Sequence, residues 1–314
     1  MKKILEKIKE YNTIIIHGHI RPDGDCIGSQ YGLKYLIEEN FPNKKVYVTG
    51  DTSEYVSFIG EPKMIDDSLF KNALSIIVDC PTYDRLSDNR FNLSDYSIKI
   101  DHHFDSEVYT DYEYVDYKAA SCTSIITEFY MMFKDELKMN EKSATALYVG
   151  LLTDTGRFQN LNVTSNTFLV ASTLINYIDL VRINEFLNLE DENQLRFKGY
   201  CLNNFKLTKN GCVYIKITKE DLINYEINEE AAASLVTTIS TLKDCPVWVL
   251  FIESKNNIRV RLRSRGPAIN ELAKIYNGGG HKLASGCSLN NWDEFEGFIQ
   301  KTDKLVKIYK QKQK

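Results

Sequence analysis

The histidines of this chain are few and unevenly placed. The chain has five in 314 residues, and four of them lie in two short acidic segments. The fifth directly follows three glycines, and the full set is His17, His19, His102, His103 and His281. Histidines with purely structural roles are expected to be scattered more evenly. The clustering therefore indicates that most of these histidines have a chemical role.

The first acidic segment, HGHIRPDGDCIGSQ, brings one imidazole and two carboxylates close together. His19, Asp23 and Asp25 lie there, and the proline and glycine between them predict a loop that leaves a strand. An imidazole with several carboxylates suits a divalent metal that prefers nitrogen and oxygen ligands, such as Mn²⁺. The alternative is a polar turn whose aspartates cap a helix beginning near Ile27. The segment alone favours neither interpretation.

Two further acidic positions follow apolar runs. Asp79 closes the run LSIIVDC, where it is either a helix cap or a ligand. Asp101, His102 and His103 follow the run that ends at Ile100. A β-like backbone sends adjacent side chains to opposite faces, so one histidine could bind metal while the other faces a substrate. An exposed polar loop is the alternative, and two histidines beside an aspartate disfavour it.

The segment GLLTDTGRF combines a carboxylate with an arginine. Asp154 ends an apolar helical run, and Arg157 follows three residues later. A carboxylate and a guanidinium suit a metal next to a phosphate, because the guanidinium offers a planar fork to anionic oxygens. Helix capping or a surface ion pair is the simpler interpretation of this segment taken alone.

The second half contains an arginine-rich run followed by three glycines. The arginines alternate along a predicted strand, which places them all on one face, and they are Arg259, Arg261, Arg263 and Arg265. The segment YNGGGHKLASG contains Gly278, Gly279, Gly280 and His281. Glycines near a helix start can form a backbone N–H nest that approaches an anion closely. A solvated edge strand is the alternative for the arginines, and a plain loop is the alternative for the glycines. The occurrence of both segments together favours anion binding.

Six side chains from these segments could bind metal, one more than a single open site would use. They are His19, Asp23, Asp25, Asp79, His102 and Asp154. Two ions about 3.5–4 Å apart, bridged by a shared carboxylate and a hydroxide, would use all six. Such a pair provides a nucleophile at neutral pH and stabilises the attacking and leaving oxygens of a phosphoryl displacement. The combination predicts a two-metal site, with the rest of the substrate held by the second domain.

The elements that must position these residues are those of an α/β fold. Four short runs rich in Ile or Val alternate with helical patterns, which predicts a parallel sheet with crossover helices. The predicted strands are Thr13–Gly18, Lys45–Gly50, Leu74–Cys80 and Tyr96–His103. The predicted helices are Ile27–Glu39, Cys122–Phe133, Ser143–Leu152 and Thr167–Ile178. Ligands of such sheets lie beyond the carboxyl ends of the strands, where the polar clusters occur.

The second half predicts a smaller α+β domain. A hairpin turns at Asn210-Gly211, a helix follows over Ala231–Leu242, and two β runs, PVWVLFIES and NIRVRLRSR, come next. We therefore predict a catalytic domain over residues 1–185, a polar connector over 186–206 and a second domain over 207–314.

Composition limits the function classes. Lys plus Arg total 39 against 43 for Asp plus Glu, which gives a net charge of −4 and disfavours wrapping around long nucleic acid. Seven cysteines without a C-x-x-C pair indicate reduced thiols. Charged residues interrupt the N-terminal segment, which excludes a signal peptide, and no run is long enough to cross a bilayer. These observations predict a soluble cytoplasmic protein without membrane contact.

The motifs together resemble those of a known family. H-x-x-P-D-x-D (His19–Asp25), V-D (Val78–Asp79), D-H-H (Asp101–His103) and T-D-T-G-R-F (Thr153–Phe158) look like the four motifs of the DHH phosphoesterases. G-G-G-H-x-x-A-S-G (Gly278–Gly286) is similar to the DHHA1 signature. The resemblance covers the whole chain in the right order. The two-domain length is similar to the nanoRNase and pAp-phosphatase branch, the bifunctional oligoribonucleases.

The resemblance implies a parallel-sheet DHH domain whose active-site cleft faces an α+β DHHA1 domain and holds two Mn²⁺, with other divalent metals as alternatives. One ion would be bound by His19, Asp23 and Asp79. The other would be bound by Asp25, Asp79, His102 and Asp154. Asp79 would therefore bridge the two ions.

The resemblance also implies catalytic and substrate-binding residues. His103 and Arg157 would face the scissile phosphate, while Asp101 would orient a ligand. Arg261 or Arg263, with the glycine-rich loop that ends at His281, would bind the terminal phosphate and nucleotide. His17 matches none of the motifs, so we interpret it as structural. Phe104 and Asp105 follow Asp-His-His where many relatives have a small polar or Pro-Asn step.

The leading hypothesis is a Mn²⁺-dependent phosphodiesterase that cleaves oligonucleotides of about two to five nucleotides to nucleoside monophosphates. Removal of the 3′-phosphate from pAp and cleavage of pApA are further candidate activities. The acidic composition fits, because a dinucleotide needs a pocket and not a basic groove. As partners we expect these substrates, no long nucleic acid and no membrane; a homodimer is one candidate assembly.

Three alternatives remain under this resemblance. A family II inorganic pyrophosphatase shares the Asp-His-His core, but the DHHA1-like ending disfavours it. A RecJ-like exonuclease would come with more domains and a basic channel. A non-catalytic nucleotide-sensing module is disfavoured because all six ligand residues are present.

Overall fold

The Ile- and Val-rich runs of the first half form a five-stranded parallel sheet, as their sequence predicts. The computed structural model describes residues 1–313, and the chain divides into two units, Met1–Leu189 and Glu190–Lys314. The strands of the first unit are β1 (Thr13–His17), β2 (Lys45–Thr49), β3 (Ala73–Val78), β4 (Tyr96–Asp101) and β5 (Tyr112–Val115). They lie in the order β2-β1-β3-β4-β5, and every neighbouring pair is parallel.

The central strands β1 and β3 are buried on both faces, which explains their continuous apolar sequence. Ile14 and Ile16 face the main core, while Ile15 packs with Phe70 and Ala73 on the other face. Strand β5 was not predicted. It is a half-exposed edge strand with the sequence YEYV, so it lacks the apolar run that marks its neighbours.

Helices cover the main core of the first unit. They are α1 (Lys2–Glu10), α2 (Gly24–Asn40), α3 (Cys122–Met132), α4 (Glu141–Asp154), α5 (Ser165–Ile175) and α6 (Leu180–Asn188). Helix α2 begins at Gly24, three residues earlier than predicted, because Asp23 caps it by accepting hydrogen bonds from the backbone N–H groups of Asp25 and Cys26. Asp25 therefore lies in the first turn of a helix and not in a loop.

Helices α2 and α4 pack backbone against backbone. A Cβ placed on Gly28 of α2 would lie 2.6 Å from the carbonyl oxygen of Ala146 and 3.1 Å from the Cα of Gly150. A Cβ on Gly24 would lie 2.3 Å from Oγ1 of Thr153. This close approach places the start of α2 beside the end of α4, where Asp154 is the last residue.

The second unit contains a mixed six-stranded sheet of order β10-β11-β9-β8-β7-β6 in its described part. The strands are β6 (Lys206–Leu207), β7 (Cys212–Ile217), β8 (Val247–Glu253), β9 (Ile258–Ser264), β10 (Gly279–His281) and β11 (Ala284–Leu289). The helices are α7 (Glu192–Asn204), α8 (Lys219–Asn224), α9 (Glu229–Ser234), α10 (Asn270–Ile275) and α11 (Phe295–Lys312). Strands β7 and β8 pair in parallel, and the other strand pairs described are antiparallel. The predicted hairpin and α+β class are confirmed.

Both faces of this second sheet are covered at its centre. Along β8, Trp248 and Leu250 pack in one apolar cluster, whereas Val249 and Phe251 pack in another with Phe298 of α11. The helix predicted over Ala231–Leu242 is too long, because α9 ends at Ser234 and a short 3-10 turn follows. The hydroxyl and β-branched residues of the sequence TTISTL have low helix propensity.

The division between the two units falls at Leu189–Glu190, inside the segment 186–206 predicted as a connector. Most of that segment is helix α7, which places Phe197 and Cys201 in a core of the second unit. Within residues 1–313 no helix combines the length and apolar character needed to cross a membrane.

Candidate metal centre

Five elements of the first unit bring titratable side chains to one place at the carboxyl end of its sheet. His19 follows β1, Asp79 follows β3, His102 follows β4, Asp25 lies in the first turn of α2 and Asp154 ends α4. The Nε2 atom of His102 lies 3.4 Å from Oδ1 of Asp79, 3.7 Å from Oδ2 of Asp25 and 3.8 Å from Oδ2 of Asp154. Parallel strands end at the same edge of a sheet, which explains why residues so distant in sequence meet here.

Asp79 lies between the two histidines of this cluster. Its Oδ2 is 3.5 Å from Nε2 of His19, and its Oδ1 is the atom nearest His102. The residue has a left-handed backbone with φ of 55°, and its N–H donates to the carbonyl of Ile100. It is 2% exposed, and Oδ1 has no hydrogen-bond partner among the described residues. A buried carboxylate oxygen without a donor is costly, and a divalent cation would satisfy it.

His19 is oriented by its own backbone. Its Nδ1 lies 2.9 Å from the carbonyl oxygen of Ile20, which can only accept, so Nδ1 carries a proton and Nε2 faces the carboxylates. Ligand histidines commonly donate their second nitrogen to a carbonyl in this way. Burial lowers the pKa of His19, but Asp23 and Asp79 raise it above its usual value.

Asp25 is buried and held at the start of helix α3. It accepts hydrogen bonds from the backbone N–H of Cys122 at 2.7 Å and from the N–H and Oγ1 of Thr123 at 2.9 and 2.7 Å. These donors fix the carboxylate beside the other acidic groups. Burial raises the pKa of Asp25 well above its usual value, and the charges of Asp79 and Asp154 raise it further.

The same crowding affects Asp154 and His102. Burial raises the pKa of Asp154 to about 6, although His102 opposes the shift. Burial alone would lower the pKa of His102, but the nearby carboxylate of Asp79 and the charges of Asp25 and Asp154 raise it to about 10. Carboxylates forced together in this way favour a cation among them, and the nitrogen and oxygen donors fit a divalent metal.

Asp23 is a helix cap that also lies beside His19, and its role as a metal ligand stays a prediction. Its Oδ1 caps helix α2 and lies 3.9 Å from Nε2 of His19. Capping therefore does not remove this carboxylate from the cluster. The ligand atoms form three groups, His19–Cys26–Asp79, Asp79–His102–His103 and Asp25–His102–Asp154, each with its atoms within 4.8 Å of one another.

The two adjacent histidines do not point to opposite faces, so that prediction was wrong. Strand β4 ends at Asp101, and beyond it the alternation of a strand no longer applies. The rings of His102 and His103 are 4.6 Å apart, and Nδ1 of His103 is 3.7 Å from Oδ1 of Asp79.

Asp101 orients His103. Its Oδ1 accepts from Nδ1 of His103 at 2.8 Å, and its Oδ2 accepts from the hydroxyl of Ser106 at 2.8 Å. Burial raises the pKa of Asp101, but the hydrogen bond and charge of His103, the hydrogen bond from Ser106 and the charge of His102 together lower it below its usual value. The side chain of His103 is 39% exposed. With Nδ1 bound to Asp101, its Nε2 is the nitrogen left to contact a substrate.

Arg157 lies in a left-handed loop directly after α4. Gly156, Arg157 and Phe158 have φ values of 55°, 59° and 62°. The guanidinium is exposed, and its Nη2 donates to Oδ1 of Asn188 at 2.6 Å. It does not pair with Asp154 in the described structure, so the surface ion pair considered from the sequence does not form.

The arginine stripe of the second unit alternates as predicted. Along β9 the apolar residues are buried and the arginines between them are half-buried, while Arg265 lies beyond the end of the strand. Arg259 donates to Oε1 of Glu230 at 2.8 Å. Arg263 donates to the carbonyl of Leu262. Burial and, to a smaller extent, the charge of Arg261 lower the pKa of Arg263.

The three glycines do not form a nest at a helix start, which corrects that expectation. Helix α10 ends before them, and Gly279–His281 forms edge strand β10, paired with β11. A Cβ on Gly278 would lie 2.1 Å from the carbonyl oxygen of Gly286, so a glycine is needed for this close pairing. The assignment of Gly278, Gly279, Gly280 and His281 to substrate stays a prediction.

Sequence reasoning missed several members of the site. Cys26 belongs to one of the ligand groups, and its position next to Asp25 was the available signal. Nothing in the sequence marks the donors at the start of α3 or the hydroxyl of Ser106, because these groups reach the site through the fold and not through a short spacing in the chain. His17, interpreted as structural, is buried and contacts the carbonyl of Asp88 and the hydroxyl of Ser75, both at 3.0 Å.

Two domain families match this chain. Residues 13–151 match the N-terminal domain of the DHH family, and residues 210–308 match the DHHA1 domain. The chain therefore belongs to the DHH family of proteins that carry a DHHA1 domain, and the resemblance seen in the motifs is confirmed.

Among individual relatives, the chain is similar to the probable bifunctional oligoribonuclease and PAP phosphatase NrnA of Streptococcus mutans. The two are 38% identical over 98% of this chain and 99% of that protein. The Bacillus subtilis bifunctional oligoribonuclease and PAP phosphatase NrnA is 36% identical over 97% of this chain and 98% of its own length. A solved structure of an exopolyphosphatase-related protein from Bacteroides fragilis matches with a TM-score of 0.85 and 25% identity, covering 98% of this chain and 97% of that one.

Proposed function

We propose that this phosphoesterase hydrolyses oligonucleotides of about two to five nucleotides to nucleoside monophosphates and removes the 3′-phosphate from pAp. The near full-length similarity to proteins named oligoribonuclease and PAP phosphatase supports these substrates. The observation that carries the proposal is the buried carboxylate of Asp79, which lies between His19 and His102 with Oδ1 unpartnered among residues 1–313. Such a carboxylate suits a position shared by two cations.

The residues present would hold two divalent ions, for which Mn²⁺ is our assignment. His19, Asp23 and Asp79 would hold one, and Asp25, Asp79, His102 and Asp154 would hold the other. The mixed nitrogen and oxygen donors support Mn²⁺ over ions that prefer oxygen alone. When bound, the ions would supply a water-derived nucleophile at neutral pH and Lewis-acid stabilisation of the phosphoryl oxygens.

The remaining residues bind and orient the phosphate. His103 presents Nε2 to the scissile phosphate, because Asp101 accepts the Nδ1 proton and fixes the ring. The exposed guanidinium of Arg157 offers a planar fork to phosphate oxygens once Asn188 releases it. In the second unit Arg261 and Arg263 lie on the same face of β9 and are assigned to the terminal phosphate.

The cysteines support a proposal about the compartment. All seven, which lie within residues 1–313, are unpaired, and six of them are buried. Free thiols in this number fit a reducing compartment, and we propose the cytoplasm.

The test is a panel of initial rates on one preparation with Mn²⁺. The panel contains an RNA dinucleotide, a DNA dinucleotide, pAp, pApA, inorganic pyrophosphate and a long single strand. We expect the dinucleotide and pAp to be hydrolysed fastest, with roughly two Mn²⁺ per chain by elemental analysis. Asp154→Asn should lose activity, and His281→Gln should retain its metal content. The proposal fails if the dinucleotides and pAp are untouched, or if Asp154→Asn behaves like the unaltered chain.

A further inference from the structure

We infer that Cys26 is an additional ligand on the His19 side of this centre, which makes the centre a binding site for a thiophilic divalent cation such as Zn²⁺. The ligands on this side would then be Nε2 of His19, carboxylate oxygens of Asp23 and Asp79, and Sγ of Cys26. The inference rests on the metal centre of the proposed function and adds a sulfur ligand to it. An enzyme with these ligands would be activated by Mn²⁺ but would also bind thiophilic metals such as Zn²⁺.

The position of Cys26 supports this assignment. It is fully buried in the first turn of α2, and Sγ lies within 4.8 Å of the ligand atoms of both His19 and Asp79. Its backbone N–H is held by Oδ1 of Asp23 at 3.1 Å. A Cβ on Gly18 would lie 2.4 Å from Sγ, so the chain immediately before His19 leaves room for this thiol.

The other two members of this group also point to a ligand. Asp79 is 2% exposed; its Oδ1, unpartnered in the described part of the chain, faces His102, and its Oδ2 lies 3.5 Å from Nε2 of His19. Nδ1 of His19 is committed to the carbonyl of Ile20, which leaves Nε2 on the side of Asp79 and the thiol.

The neighbouring cysteines show a different arrangement. Sγ of Cys80 donates to the carbonyl of Thr82 at 3.4 Å, and Sγ of Cys122 donates to the carbonyl of Ile100 at 3.2 Å. Neither residue belongs to a ligand group within residues 1–313. Burial near the centre is therefore not enough to make a cysteine a ligand, and Cys26 differs from both.

The chemistry favours a borderline or soft ion. Thiolate with imidazole and carboxylate is a ligand set that zinc accepts, with Zn–S near 2.3 Å and Zn–N near 2.0–2.1 Å. On binding, the S–H bond breaks, the proton passes to water and a sulfur–metal bond forms. Mn²⁺ gains little from sulfur, whereas Zn²⁺ gains a strong bond. We therefore expect Zn²⁺ to displace Mn²⁺ from this side and to inhibit turnover.

The experiment uses Co²⁺ as a spectroscopic probe of the full chain after chelation. Visible d–d bands report that the centre is occupied, and a near-ultraviolet sulfur-to-cobalt charge-transfer band reports ligation by a thiolate. We expect both signals in the unaltered chain. Cys26→Ser should keep the visible bands and lose the near-ultraviolet band. Cys80→Ser, the matched control with a buried thiol next to Asp79, should keep both.

Competition titrations give the second readout. Cys26→Ser should weaken Zn²⁺ binding by about tenfold or more while Mn²⁺ binding changes by less than about threefold. Visible bands without the charge-transfer band in the unaltered chain would overturn the sulfur ligand and leave the metal centre standing. Absence of both signals would overturn the metal centre itself, and with it this inference. Retention of the visible bands by Cys26→Ser also shows that the variant folds.

Discussion

Replacing His17 by glutamine should change how the stability of the protein responds to acid. His17 is fully buried at the end of β1, between the carbonyl of Asp88 and the hydroxyl of Ser75. The carbonyl can only accept, so Nδ1 carries the proton and Nε2 accepts from Ser75 in the neutral ring. Burial lowers the pKa of His17 from 6.5 to about 4. As the pH falls, the unfolded chain therefore binds a proton at this histidine at a higher pH than the folded chain does.

The size of the effect follows from these two pKa values. Because the folded pKa is depressed, the stabilisation is present above pH 6.5 and is lost as the pH falls towards 4. At about 1.4 kcal/mol per pKa unit, the full difference is about 3 kcal/mol. At pH 5 the unfolded histidine is almost entirely protonated and the folded one is mostly neutral. About 2 kcal/mol of the free energy of unfolding should therefore be lost between pH 7 and pH 5 through this residue alone.

The assay is urea unfolding at pH 7 and pH 5, with chelator present so that metal ligands do not contribute through bound metal. His17→Gln is expected to be less stable at pH 7, because two buried polar contacts change. Its deficit relative to the unaltered chain should shrink by about 2 kcal/mol at pH 5, since glutamine does not titrate. His281→Gln, at an exposed histidine, is the matched control. An equal deficit for His17→Gln at both pH values would refute the reasoning.

Three further outcomes test the site and the fold. Asp79→Asn should bind Mn²⁺ poorly in calorimetry and lose about 1,000-fold or more in kcat, because in the proposed site both ions would share this carboxylate; near-normal turnover would contradict the shared position. Asp101→Asn should retain its metal content but lose about 10- to 100-fold in kcat, because the ring of His103 is no longer held, and an unchanged kcat would remove Asp101 from the site. Gly28→Ala should cost about 3 kcal/mol in urea unfolding, since its Cβ would meet the carbonyl of Ala146 at 2.6 Å, and a neutral substitution would mean that the helices can separate freely.

The sheet of the first unit and the place of its site were predictable from the sequence. Buried parallel strands have continuous apolar runs, and polar residues at their ends must meet at one edge. That reasoning brought Asp79 and His102 together although they are 23 positions apart in the chain. The edge strand β5 was not predicted in this way, because a half-exposed strand has no continuous apolar run.

Features that depend on chain contacts distant in sequence were not predictable. The orientation of His103 towards Asp79 depends on where β4 ends, and the pairing of β10 with β11 depends on a carbonyl that approaches Gly278. Pattern alone suggested opposite faces for the histidines and a nest for the glycines. The hydrogen bonds from Thr123 to Asp25 likewise join residues almost a hundred positions apart. Spacing identifies candidate side chains, whereas the folded backbone decides what each of them faces.

The glycine contact between α2 and α4 also limits how the chain can vary in length. Asp25 lies three residues before Gly28, and Asp154 lies four residues after Gly150, the two glycines that touch. Each residue of a helix turns the next side chain by about 100° and advances it by about 1.5 Å. One residue inserted between the glycine contact and the carboxylate on either helix would rotate that carboxylate away from the candidate metal centre. Natural variation in these two short stretches should therefore consist of substitutions, with insertions and deletions confined to the loops outside them.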